Sequence, residues 1–164
     1  MAEPSAIFLT WTTYGSWLPG DQRGWMDRHY KSAIKKSSPQ LEASARSMMR
    51  ESAFILTEDQ CKVVRKSIQK TCSLRNWKMY ALSVYSNHVH VLISCSDKNG
   101  SQTLNMLKAH CARALKEYTN QTNRKHWWTR SGSVRCLYKK ESLKAVIEYI
   151  ENQSNNKPPP PGWG

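Results

Sequence analysis

The chain has 164 residues, 39% hydrophobic and 23% charged, which suits a single soluble globular domain that buries a core without disulfides. It carries 25 Lys and Arg against 12 Asp and Glu, a net charge of +13, so the expected partner is a polyanion, nucleic acid ahead of an anionic membrane surface. No apolar run approaches the roughly 20 residues needed to span a bilayer, and Met1-Ala2-Glu3-Pro4-Ser5 lacks the basic and apolar regions of a secretion signal. Five cysteines at 61, 72, 95, 111 and 136 form no Cys-x-x-Cys. They read as reduced thiols in a cytoplasm, packed as small hydrophobes, rather than a disulfide frame or a cysteine zinc site.

Ile7 to Thr12 is β-branched and aromatic and predicts a first strand. A loop with three glycines and two tryptophans follows, from Tyr14 to Trp25. Residues 27–53 are polar and basic and read as an excursion from the core, partly helical after Pro39. The whole stretch from about 13 to 53 therefore looks like an insertion. Thr57 can cap a helix reaching about Arg75, with Cys61, Val64, Ile68 and Cys72 on one face. Trp77 to Tyr85 and His88 to Cys95 predict a hairpin turning at Ser86-Asn87. Ser101 is the expected cap of a helix with Leu104, Leu107, Lys108, Cys111 and Leu115 on one stripe.

Residues 119–133 are polar and loop-like apart from Trp127-Trp128, and Val134 to Tyr138 predicts a short strand. Ser142 then stands before a final helix with Leu143, Val146, Ile147 and Ile150 at i, i+3, i+4 and i+7. The tail, 157–164, is proline-rich and expected to be extended. The predicted fold class is α+β: a βαββαβ antiparallel sheet of ferredoxin-like or RRM-like plan. Two helices cover one face and the last helix lies on the other. One domain is expected to span 1–164.

Two constellations carry chemistry. His88 and His90 are two apart on a predicted strand, so both imidazoles point to one face, while Val89, Val91 and Ile93 point to the other. They are either two ligands of a divalent ion still lacking a third donor, or two polar residues on an open sheet face. Tyr149 and Gln153 are four apart on the last helix and project about 40° apart around its axis. Docked on the sheet, Gln153 can offer an amide oxygen as third ligand, with Tyr149 one turn away. Tyr149 is then a nucleophile activated by a cation, or an amphipathic tyrosine bordering a core.

The segment Tyr80-Ala81-Leu82-Ser83-Val84-Tyr85-Ser86-Asn87-His88-Val89-His90-Val91-Leu92-Ile93 resembles the histidine-hydrophobic-histidine (HUH) motif of single-tyrosine transposases, IS200-like and REP-associated. Ala145-Val146-Ile147-Glu148-Tyr149-Ile150-Glu151-Asn152-Gln153 resembles the nucleophile helix of that family. The resemblance runs from about 6 to 156. It implies that His88, His90 and Gln153 bind Mg²⁺ or Mn²⁺. It also implies that Tyr149 attacks single-stranded DNA, leaving a 5′-phosphotyrosine link and a free 3′-OH for strand transfer. Folded DNA hairpins and a homodimer are the implied partners.

A domesticated DNA-binding protein that keeps the fold without transposing is the alternative. The tryptophan-rich insertion departs from the compact family core. There Trp17, Arg23, Trp25 and Arg28 either grip DNA or form a packing cluster. Lys108, Arg113, Lys116, Arg124, Lys125 and Arg130 are the further candidates for phosphate contact.

Overall fold

A computed structural model describes residues 4–23, 35–94, 99–130 and 132–152. The elements run β1 (Ala6–Thr12), α1 (Pro39–Ser47), α2 (Glu58–Leu74), β2 (Met79–Val84), β3 (His88–Ser94), α3 (Gly100–Thr119), β4 (Ser133–Leu137) and α4 (Lys140–Asn152). The four strands form one sheet in the order β2-β3-β1-β4, every neighbouring pair antiparallel. Without α1 and α4 this is the expected βαββαβ plan. Among the described residues no helix is long and apolar enough to cross a membrane.

Strand alternation divides the core in two. Ile7, Leu9 and Trp11 of β1 and Val89, Val91 and Ile93 of β3 pack under α2 and α3, together with Val64, Ile68, Leu104, Leu107 and Leu115. Each such aliphatic side chain contributes about 1.5–3 kcal/mol on full burial. Ala6, Phe8 and Leu92 form a second, smaller cluster on the opposite face with Leu137, Val146 and Ile150. The last helix supplies the apolar stripe that closes this face.

Both long helices begin with a reciprocal cap. At the start of α2 the cap is Thr57, as the sequence suggests, and Gln60 completes it by bonding the Thr57 backbone amide in return. At α3 the cap is Asn99, paired with Gln102, and not Ser101. Gly100 therefore lies inside the first turn, and the helix starts earlier than the serine implied. Similarly, α4 starts at Lys140 rather than behind Ser142, with the Leu143 amide donating to the Lys139 carbonyl at 3.1 Å.

The described part of the insertion is ordered against the sheet end. The Ser38 amide bonds the Gly20 carbonyl, and the Phe54 amide bonds the Tyr14 carbonyl. Gly20 has φ +88, and a Cβ there would stand 2.4 Å from the Ser38 carbonyl oxygen, so glycine is required. Glu51 accepts from the backbone amides of Lys125 and His126 and pairs with Arg124. The Arg124 guanidinium also lies 5.0 Å from the centre of the Phe54 ring and donates to the Ser52 carbonyl. Arg124 is thus a tie between the insertion and the loop before β4, which removes it from the candidate phosphate contacts.

Candidate active site

β3 presents His88 and His90 on the face opposite the α2–α3 core, as its alternation requires. Both are fully buried rather than lying on an open face. The cause is tertiary: α4 and the aromatic rings around it roof the pair. The Phe8 ring stacks on His90 with centroids 5.4 Å apart, and Tyr85 lies 4.7 Å from His88. The two imidazoles stand 4.8 Å apart.

Each imidazole is held through Nδ1. His88 Nδ1 is 2.7 Å from the Asn87 side-chain oxygen. That oxygen can only accept, so Nδ1 carries a proton. His90 Nδ1 lies 2.8 Å from the Thr10 hydroxyl, its register partner on β1. The hydroxyl can either accept from or donate to Nδ1. A bonded Nδ1 that fixes the ring and directs Nε2 outward is the usual support of a metal-binding histidine. The turn carrying Asn87 is itself pinned. The Thr13 amide donates to the Asn87 carbonyl, and the Leu56 amide to the Ser86 carbonyl.

The last helix brings the tyrosine. Val146 and Ile150 of α4 are buried against Phe8, Leu92 and Leu137. The Ile150 carbonyl falls in the last turn, where helix carbonyls lack helical partners. It accepts instead from the Ser83 hydroxyl at 3.0 Å and the Tyr85 hydroxyl at 3.4 Å, both near the end of β2. This clamp fixes the rotation of α4. Tyr149, the next residue back, is half-buried with its ring edge-on to His90 at 5.5 Å and to Phe8 at 6.5 Å. Tyr149 and the histidines of one chain are therefore brought together.

Gln153 lies outside the described residues, as do Trp25, Arg28, Cys95 and the 157–164 tail. Among the described residues no group of three His, Cys, Asp or Glu assembles a metal cage, so the donor set in view is two imidazoles. Two buried imidazoles side by side fit a divalent ion that takes its remaining ligands from amide, phosphate and water oxygens.

Four partners escaped the sequence reading: Thr10, Ser83, Tyr85 and Asn87. Thr10 follows Phe8 at the strand interval, a signal that pairs it with the same face. Asn87 directly before a histidine was read only as a turn residue. Ser83 and Tyr85 depend on where α4 docks, which no local pattern reveals.

The remaining basic candidates separate. Arg23 is committed to Asp21 and to the Ser16 carbonyl. Burial would raise the Asp21 pKa, but hydrogen bonds and charge from Arg23 outweigh it and hold the carboxyl below its ordinary value. Lys108 is half-buried, its Nζ donates to the Thr129 carbonyl at 2.9 Å, and burial brings its pKa down to about 8. Arg113, Lys116, Lys125 and Arg130 are exposed. The thiols also divide: Cys72 and Cys111 are buried, Cys61 is half-buried and Cys136 is exposed, so Cys136 is not the packed hydrophobe expected. Burial pushes the Cys111 thiol up to about 12.

Residues 28–153 match the family model described as "Transposase IS200 like". The span covers most of the chain and includes His88, His90, Tyr149 and Gln153. No curated protein sequence matches the chain. Two solved structures share the fold. A REP-associated tyrosine transposase bound to a REP hairpin is 12% identical with a TM-score of 0.51. The match covers 90% of this chain and 65% of that one, so this chain spans less than two thirds of that protein. A candidate transposase from Deinococcus radiodurans R1 is 16% identical with a TM-score of 0.52, covering 94% of this chain and 95% of that one.

Proposed function

Because this chain belongs to the IS200-like transposases, we propose that it is a divalent-metal-dependent nuclease and strand transferase for single-stranded DNA, with Tyr149 as nucleophile. The observation that carries the reading is the Tyr149 ring 5.5 Å from His90, beside two imidazoles whose Nδ1 atoms are both engaged. His88, His90 and Gln153 would hold Mg²⁺ or Mn²⁺. When bound, the ion would draw charge from a non-bridging phosphate oxygen and favour the phenolate, whose ordinary pKa is about 10.

Tyr149 Oη forms a bond to phosphorus while the bond from phosphorus to the 3′ oxygen breaks. The phenol proton passes to water, and the departing oxygen takes a proton from water to end as a 3′-OH. The fragment on the 3′ side of the break stays on the tyrosine, joined through its 5′ phosphate as a phosphodiester. A second 3′-OH attacking that phosphorus rejoins DNA and restores the phenol. The covalent link conserves the bond energy, so no nucleotide cofactor is needed. The clamp from Ser83 and Tyr85 holds the attacking residue in place, which is where orientation lowers the barrier.

The reading includes a folded hairpin as substrate, a homodimer as working unit and a cytoplasmic setting. The net charge of +13 favours the DNA partner, and the structural neighbour bound to a REP hairpin favours its folded form.

The test uses a DNA hairpin with a single-stranded flank, labelled at its 3′ end, with Mg²⁺ or Mn²⁺. A label that co-migrates with denatured protein is expected, because the 3′-terminal fragment is the one retained. Tyr149→Phe should abolish the adduct and spare binding. Binding with no adduct on any of a panel of hairpins would leave the domesticated DNA-binding protein as the better account.

A further inference from the structure

A cavity of about 380 Å³ lies between α3 and the segment leading to β4, with no carboxylate in its lining. Two small apolar residues of α3, Ala109 and Ala112, are part of its lining. One wall is Trp128. The indole N–H donates to the Lys108 carbonyl at 2.9 Å, and the ring meets Trp11 edge-on at 6.0 Å, so its position is fixed from two sides. Asn105 and Lys108 bring an amide and an ammonium to the same space, and Arg130 stands at its edge. Small residues, an indole and hydrogen-bond donors together make a surface for a flat, polar, anionic ligand. The volume lies in the range of small-ligand sites. Burial that brings Lys108 to about 8 marks its ammonium as drawn partly out of water, where an incoming phosphate would gain most.

The position of the cavity links it to the histidines. Its Thr129 donates an amide to the Thr12 carbonyl at 2.9 Å, and the two hydroxyls lie 2.9 Å apart. Thr12 is in turn the register partner of His88. Thr129 and His88 are thus two strand spacings apart, about 10 Å. The cavity opens on the helix-covered side of the sheet end whose other side carries the histidine pair.

We propose that this cavity binds one nucleotide of the DNA substrate, its base against Trp128 and within reach of Asn105, its phosphate toward Lys108 and Arg130, and so anchors the strand beside the cleaved bond. The assignment rests on the DNA-cleaving reading above and adds to it a place where the strand is held. An apolar wall with nearby cations is the general form of sequence-tolerant single-strand binding.

The experiment uses the full chain carrying Tyr149→Phe, so that binding is read without chemistry. Its probe is a 20-mer of thymidine with 5-iododeoxyuridine at one position. Ultraviolet crosslinking followed by peptide mass spectrometry should place the crosslink within residues 126–130. Fluorescence anisotropy with the labelled 20-mer should find Asn105→Ala and Lys108→Met weakened, together by about tenfold, the scale of one lost base contact. Lys66→Gln, on the exposed outer face of α2, serves as control and should change affinity much less. Asn105 is exposed, so its variant keeps the test valid if Lys108→Met folds poorly. Crosslinks confined to other segments, unchanged affinity in Asn105→Ala, or no binding of the 20-mer would overturn the assignment. If the Tyr149 adduct forms while the crosslinks map elsewhere, the cavity assignment fails and the cleavage reading stands. If the crosslink maps to Trp128 while wild-type chain forms no adduct, the reverse holds.

Discussion

Along β3, Val89, Val91 and Ile93 face α2 and α3, whereas His88 and His90 face α4, and all five are fully buried. The two faces of one strand are closed by different means. Under α2 and α3 the strand packs mainly on apolar side chains, where volume-conserving swaps are tolerated best. Under α4 the two imidazoles are buried among rings, each with a fixed hydrogen-bond partner. Burying polar groups costs stability unless those bonds are made. The histidine pair itself therefore adds little to folding, which Phe8, Leu92, Val146 and Ile150 support on that face, and its arrangement makes sense as a preformed site.

This division is open to attack by substitution. Ile93→Ala on the apolar face should destabilise the chain by about 2–5 kcal/mol, seen as a lower midpoint in chemical denaturation. His90→Ala on the other face should cost less, about 1–3 kcal/mol, since what remains is mainly an unsatisfied Thr10 hydroxyl and a small void. Yet it should remove adduct formation altogether. If His90→Ala destabilises as much as Ile93→Ala, or still cleaves DNA, the separation of roles between the faces is wrong.

Ser83→Ala should cost about 0.5–1.5 kcal/mol, one neutral hydrogen bond. Its larger effect should be on the rate of adduct formation, because Ile150 keeps only the longer bond from Tyr85. A rate unchanged in a double Ser83→Ala, Tyr85→Phe variant would show that the clamp does not position Tyr149.

The smallest effect concerns pH. Lys108 has a folded pKa of about 8, below its ordinary 10.5. Between those values the unfolded chain binds more protons, so this group makes stability rise with pH across that window. Below pH 8 the lysine is charged in both states and contributes no slope. Lys108→Met should flatten the rise between about pH 8 and 10 and leave the slope at neutral pH unchanged, as read from denaturation midpoints.

The same contrast explains what the sequence could reveal. Patterns governed by local geometry were legible: the alternation in β3, the Val64, Ile68 and Cys72 face of α2, and the Val146 and Ile150 stripe of α4 all bury as their spacing requires. Capping was legible where one residue stood out, as at Thr57. It failed at Asn99, because the glycine behind it reads as a breaker and Ser101 competes for the same role. The seclusion of His88 and His90 could not be read, since it arises from α4 arriving across the sheet. Arg124 stands in sequence among the solvent-facing cations, but its ties to Glu51 and Phe54 join segments 70 or more residues apart. The family resemblance drew on the histidine pair and on the Tyr149 helix. The matching span 28–153 contains both, while β1, the strand that supplies Thr10 to His90, lies before it.

The central claim is that Tyr149 is the residue that becomes joined to DNA. It is tested most directly by trapping the adduct on a hairpin substrate with Mn²⁺, digesting protein and DNA, and sequencing the modified peptide by mass spectrometry. The account predicts a nucleotide remnant on the phenolic oxygen of Tyr149, attached through a 5′ phosphate. A remnant on Tyr80, Tyr85 or Tyr138, or attachment through a 3′ phosphate, would contradict it.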